Sequence, residues 1–201
     1  MSQPDQFSEN ERLVMFSDAV IAITITLLVL EIRVPEDFGD MTDAQLWPVL
    51  TSLWADYLSY ILSFLVIGTF WIGHNRKFQY IVRSSGTLIW LNLLYLCAIG
   101  FMPFVTHLIS ENGGSLSTIA YAGIVTVVSL LGATMSFYAS AAGLTKERAN
   151  PWRTATPSLT TALVFGMSIP IALLDADAAK YFWLALIPAG IIAGRLSHSS
   201  D

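Results

Sequence analysis

The sequence predicts an all-α, polytopic membrane protein, and three observations carry that prediction. Apolar residues make up 54% of the 201 positions. Charged residues make up only 12%, about half of the roughly 25% usual in soluble proteins. The apolar residues are also gathered into long runs, and the mean hydropathy is +0.60. A soluble domain of this length cannot hide so much apolar surface, because much of its sequence must face water. One bilayer-spanning helix takes about 20 residues, so six would take roughly 120 and leave only short loops. The chain reads as one six-helix domain over 1–201, with no separate soluble domain.

Six apolar stretches stand out, at about 13–34, 50–73, 86–109, 116–141, 157–174 and 179–196. The first helix opens at about residue 9, because Ser8 and Glu11 form a capping box, and Pro35 stops it. Pro48 fits the first turn of the second helix, and Thr156-Pro157 is a cap-plus-first-turn pair for the fifth. Pro103, Pro170 and Pro188 fall within the third, fifth and sixth stretches, where proline is tolerated as a kink. Gly113-Gly114 and Asn150-Pro151 mark turns. No internal repeat relates the first three helices to the last three, which argues against inverted-repeat transporters.

Orientation follows from the basic residues. With both termini on one side, that side carries Arg12, Arg76, Lys77, Arg83, Lys146, Arg148, Arg153 and Arg195, and the other only Arg33 and Lys180. The predicted place is therefore the cell membrane, with both termini cytoplasmic. The acids lean outward: Glu31, Glu36, Asp37, Asp40, Asp43, Asp56, Glu111, Asp175 and Asp177. Such a mouth concentrates cations, although acids also simply collect where Lys and Arg are excluded. Ten basic residues against fifteen acidic ones give a net charge of -5, which argues against nucleic acid as a partner. The single cysteine, Cys97, rules out an internal disulfide. The polar, acidic first ten residues do not read as a cleaved signal peptide.

The first helix holds the most informative residues. Asp18 lies about ten residues in, roughly 15 Å along the axis, near the inner edge of the hydrocarbon. A carboxylate there needs a partner or must snorkel. Its same-face neighbours Val14, Met15, Ile21 and Ala22 cannot pair with it, so the partner comes from another helix or subunit. Trp71, His74 and Asn75 are candidates at the same depth, and Asn92 is another. Further out, Ile23, Leu27 and Leu30 share one stripe. Such a stripe reads as lipid-facing or packing surface, or as a pore wall. Four such helices 8–10 Å apart would have axes about 6–7 Å from the centre, so the stripe's side chains would nearly meet in a hydrophobic constriction. Thr24 and Thr26 either add hydroxyls there or bond back to their own helix. Glu31 either rings the outer mouth or pairs with Arg33 or Lys180.

The run Arg12-x-x-x-Phe16-Ser17-Asp18, continuing to Glu31, resembles the signature of the endosomal/lysosomal potassium channel family, in particular its single-repeat prokaryotic members. Trp71-x-x-His74 and the run from Asn92 to Pro103-Phe104 resemble that family's second and third helices. The resemblance implies a homotetramer of six-helix subunits, with the first helices lining a central potassium pore. It implies no Thr-Val-Gly-Tyr-Gly filter, and this sequence contains none. Matched by position, the narrow points fall on Ile23, Leu27 and Leu30, with Thr24, Thr26 and Glu31 adjacent to the pore. Arg12, Phe16, Ser17, Asp18, Trp71, His74 and Asn92 correspond to a network that fixes the pore helix.

The expected function is a passive, potassium-preferring cation channel, with a proton-coupled secondary transporter using Asp18 or Glu31 as the alternative. An enzyme is not expected. His74, His107 and His198 show no metal-ligand spacing, and no phosphate loop or nucleophile elbow appears. His107, near the outer end of the third helix, reads as a structural interfacial histidine or a pH sensor. No cofactor and no fixed metal site is expected, only permeant K+. The expected partners are further copies of the chain, the bilayer and monovalent cations.

Overall fold

The computed structural model describes residues 9–34, 39, 41–146 and 150–186. Ser8, Pro35, Glu36, Asp37, Asp40, Arg148, Pro188, Arg195 and His198 lie outside these residues. The described elements are helical, and five helical segments among them are long and apolar enough to cross a membrane.

The first segment is α1, Glu9–Leu27, which tightens into a 3-10 turn at Leu28–Glu31. The predicted continuous helix to 34 is therefore shorter and changes pitch near its C-terminal end. Next comes α2, Asp43–Ser52, a short helix that the apolar pattern did not predict. It is opened by a capping box, with the Thr42 N–H donating to Gln45 Oε1 at 2.9 Å. Pro48 lies inside α2 and not in the first turn of the second span. That span is α3, Trp54–Phe78, starting after a break at Leu53 and running five residues past the predicted end.

The predicted third helix is two helices, α4, Gly86–Gly100, and α5, Met102–Glu111, broken at Phe101. Pro103 sits in the first turn of α5 and has no N–H to give the Ile99 carbonyl, so the helix restarts there. The fourth span is α6, Ser115–Ala141. The fifth is α7, Pro151–Leu174, and it begins six residues before the predicted Pro157 start. The Asn150 side chain accepts from the Trp152 N–H at 3.0 Å. That cap, followed by Pro151, outcompetes Thr156-Pro157 as a start signal, and Pro157 falls inside the helix. After α7 come α8, Ala176–Phe182, and a 3-10 turn, Trp183–Ala185. The rest of the predicted sixth helix lies outside the described residues.

Hydrocarbon tails do not drive apolar helix faces together, so packing here depends on close approach and polar contacts. α6 and α7 form an extensive antiparallel pair. Their buried positions are mostly small residues, including Gly132, Ala133 and Ser136 of α6 and Ala155, Ala162 and Ser168 of α7. α4 packs on α6, and α1 lies across α3 and α4. At one end, the loops after α3 and α6 pair through Val82 N–H to Leu144 O at 2.8 Å and Lys146 N–H to Tyr80 O at 2.9 Å. Gly143 makes that turn possible with a left-handed φ of 63°. Asn10 donates to Ile81 O at 3.0 Å and ties the start of α1 to the same loops.

Candidate pore helix and its supports

Two faces divide α1. Leu13, Ser17, Ile21, Thr24 and, in the 3-10 turn, Leu28 recur every three to four residues and are buried. A neighbouring face carries Phe16, Ile23, Leu27 and Leu30, which are 50, 59, 44 and 67% exposed, and Met15 and Val29 are uncovered as well. Packing within the subunit thus uses the face holding Ser17 and Thr24 and leaves the apolar stripe uncovered. The two threonines separate accordingly. Thr24 is buried and donates to Val20 O at 2.9 Å. Thr26 is exposed beside the stripe and donates to Ile23 O at 2.8 Å. Both hydroxyls bond back to their own helix.

The buried face of α1 joins a polar network at its first half. Ser17 is fully buried and donates to Leu13 O at 2.8 Å. Asn92 of α4 donates from Nδ2 to Ser17 Oγ at 2.8 Å. Its Oδ1 lies 2.9 Å from Nε2 of His74 in α3. An amide oxygen only accepts, so His74 donates from Nε2. The result is a one-way relay from His74 through Asn92 and Ser17 to a backbone carbonyl, spanning three helices. Tyr95, one turn beyond Asn92, stacks on the His74 ring at 5.6 Å and donates to Phe70 O at 3.0 Å. On the other side, Phe78 stacks on His74 at 4.5 Å. Tyr95 and Phe78 were not singled out from the sequence, although both lie at helical spacing from residues that were.

Asp18 stands beside this relay and not in it. Its Oδ1 accepts from the indole N–H of Trp71 at 2.8 Å. Trp71 is 43% exposed, so the pair sits at the rim of the subunit. Arg12 and Phe16 are exposed and lie outside this chain of bonds. Lys77, placed in a basic loop by sequence, instead lies in the last turn of α3, is 4% exposed and donates to Ser158 Oγ of α7 at 3.1 Å.

At the other end of α1, Glu31 meets His107 of α5, with Oε2 to Nδ1 at 3.4 Å. The sequence offered Arg33 or Lys180 as its partner. Lys180 is taken up elsewhere, by Gly113 O at 2.6 Å and Asp177 at 3.0 Å. Among the described residues no group of three or more His, Cys, Asp or Glu side chains is arranged to hold a metal ion.

Residues 12–103 match the family model for the endosomal/lysosomal potassium channel TMEM175. A potassium channel of Streptomyces collinus is 41% identical over 104 residues, covering 52% of this chain and 49% of that protein. The endosomal/lysosomal proton channel TMEM175 of Gallus gallus is 37% identical over 106 residues, covering 50% of this chain and 21% of that protein. A crystal structure of a lysosomal potassium-selective channel TMEM175 homolog from Chamaesiphon minutus is similar over 93% of this chain and 99% of that one, at 26% identity and a TM-score of 0.79. The chain spans about half to two thirds of the length of the first bacterial relatives it matches, 49 to 64%. The family match runs from the first turn of α1 to the first turn of α5.

Proposed function

We propose that this chain is a member of the TMEM175 family and works as a passive, potassium-preferring cation channel. One observation carries the reading: the subunit buries the face of α1 that holds Ser17 and Thr24 and leaves Ile23 and Leu30 among its exposed apolar residues, at 59 and 67%. Four copies of α1 bring their stripes together around an axis, and Ile23, Leu27 and Leu30 form successive narrow points. Thr26 stands beside that path, and Glu31 stands at its mouth. The subunit is a single-repeat, six-span protein with both termini cytoplasmic, in a homotetramer.

An apolar constriction conducts by partly stripping an ion of water. The larger potassium ion gives up its shell at lower cost than sodium, so selectivity arises from unequal dehydration and no ring of filter carbonyls is required. The one-way relay through His74, Asn92 and Ser17 holds the helix from behind and fixes its rotation. The similar bacterial proteins are named potassium channels and the animal ones proton channels, so protons are the competing permeant ion.

The test is flux from potassium-loaded liposomes containing the purified full chain. The proposal expects potassium efflux driven by its own gradient, with smaller sodium flux. Flux that requires a proton or sodium gradient would overturn it and favour a proton-coupled transporter working through Asp18 or Glu31.

A further inference from the structure

A second buried polar cluster lies deeper in the bundle. Ser63 of α3, Thr106 of α5 and Tyr121 of α6 are 1, 2 and 3% exposed. Thr106 Oγ1 lies 2.8 Å from Ser63 Oγ and 2.8 Å from Met102 O. The Tyr121 hydroxyl lies 3.1 Å from Ser63 Oγ. Thr106 is the donor in both of its bonds, so its single proton is shared between Ser63 Oγ and Met102 O. Either hydroxyl donates between Ser63 and Tyr121. The cluster therefore pins α5 to α3 and α6.

Its location gives it leverage. Met102 opens α5, directly after the break at Phe101. A threonine bonded back to the carbonyl four residues earlier biases the local bend of a helix. α5 also packs against the 3-10 turn Leu28–Glu31, and the next residue, His107, meets Glu31. A 3-10 turn has poorer hydrogen-bond geometry than an α-helix, so its placement depends on the surface it rests upon.

We propose that the Tyr121–Ser63–Thr106 cluster positions the outer end of α1: by fixing α5, it sets where Leu30 stands. The inference rests on the pore reading of the α1 stripe. The three hydroxyls form no bond to that stripe, so they act through α5 as positioning residues. The inner relay through Asn92 holds Ile23, about 10 Å further in, and is independent of them.

The experiment uses the full chain in liposomes, in a Cys97→Ser background, with Leu30→Cys or Ile23→Cys as reporters for a water-soluble thiol reagent. Potassium efflux is measured on the same samples. Thr106→Val is expected to change the labelling rate at Leu30→Cys by roughly 2- to 10-fold, the factor one hydrogen bond sets in a two-state equilibrium. The rate at Ile23→Cys should stay unchanged, and Thr106→Ser should restore the parent rate at Leu30→Cys. Tyr121→Phe should reproduce the effect and carries the comparison if Thr106→Val fails to fold. Equal changes at both reporters, no change at Leu30→Cys, or no rescue by Thr106→Ser would overturn the inference. Absence of potassium efflux from the parent would overturn the channel reading alone, because the labelling comparison does not depend on flux.

Discussion

α1 and α6 are both long apolar helices, yet they are used in opposite ways. α1 is the most apolar of the five candidate spans, and only 22% of its membrane-length window is buried. α6 is less apolar, and 50% of its window is buried. In water the order would be reversed. In lipid, apolarity marks what can be left uncovered, while small and hydroxyl-bearing residues mark what is packed. The buried residues of α6 include Ser117, Thr118, Ser129, Gly132 and Ser136. The exposed stripe of α1 is Phe16, Ile23, Leu27 and Leu30. One helix is built to fix the bundle. The other is held from behind, with its front presented to whatever lies outside the subunit.

The comparison breaks if substitutions on packed and uncovered faces cost the same. The largest expected effect is at the α6–α7 contact. A Cβ added at Gly132 would stand 3.3 Å from Lys77 Nζ, 3.3 Å from Ser158 Oγ and 3.5 Å from the Tyr95 ring. Gly132→Leu should therefore destabilise the subunit by about 3 kcal/mol, the upper end of overpacking costs, read as a fall in thermal unfolding temperature in detergent. Asn92→Ala comes next. It cuts the relay, leaves His74 Nε2 buried without its acceptor and leaves Ser17 with only the Leu13 carbonyl, at a cost of about 2 kcal/mol by the same measurement. Trp71→Phe removes a single bond at the rim and should cost about 1 kcal/mol. Lys180→Met removes exposed bonds to Gly113 O and Asp177 and should stay within about 0.5 kcal/mol of the parent. An unfolding series that does not fall in this order would blur the contrast between packed and uncovered faces.

Much of the architecture was legible in the sequence because spans announce themselves by length and apolarity. The element boundaries were less so. Pro157 looked like a helix start, but Asn150-Pro151 is a stronger start because its side chain reaches the Trp152 N–H. α2 was invisible to a search for long apolar runs, although Thr42 and Gln45 spell its cap. At the site, the absence of any same-face partner for Asp18 pointed off the helix, and Trp71 meets it from 53 positions away. The two-sidedness of α1 was not legible, because Ile21 and Ile23 are the same residue type and only packing separates them: Ile21 is 0% exposed and Ile23 59%. The hydroxyl cluster was hidden for a related reason. Ser63, Thr106 and Tyr121 are each unremarkable in an apolar helix, and only the fold brings residues 43 and 58 positions apart together.

Under the proposed function, the uncovered stripe of α1 faces permeating ions. The most direct measurement compares potassium and sodium flux through Ile23→Asn and Val29→Asn in liposomes. Both side chains are exposed in the subunit, at 59 and 49%, so neither substitution disturbs its packing. If the stripe lines the path, Ile23→Asn changes the conductance or the potassium-to-sodium ratio strongly, while Val29→Asn leaves both close to the parent. Equal effects of the two substitutions would remove Ile23 from the pore.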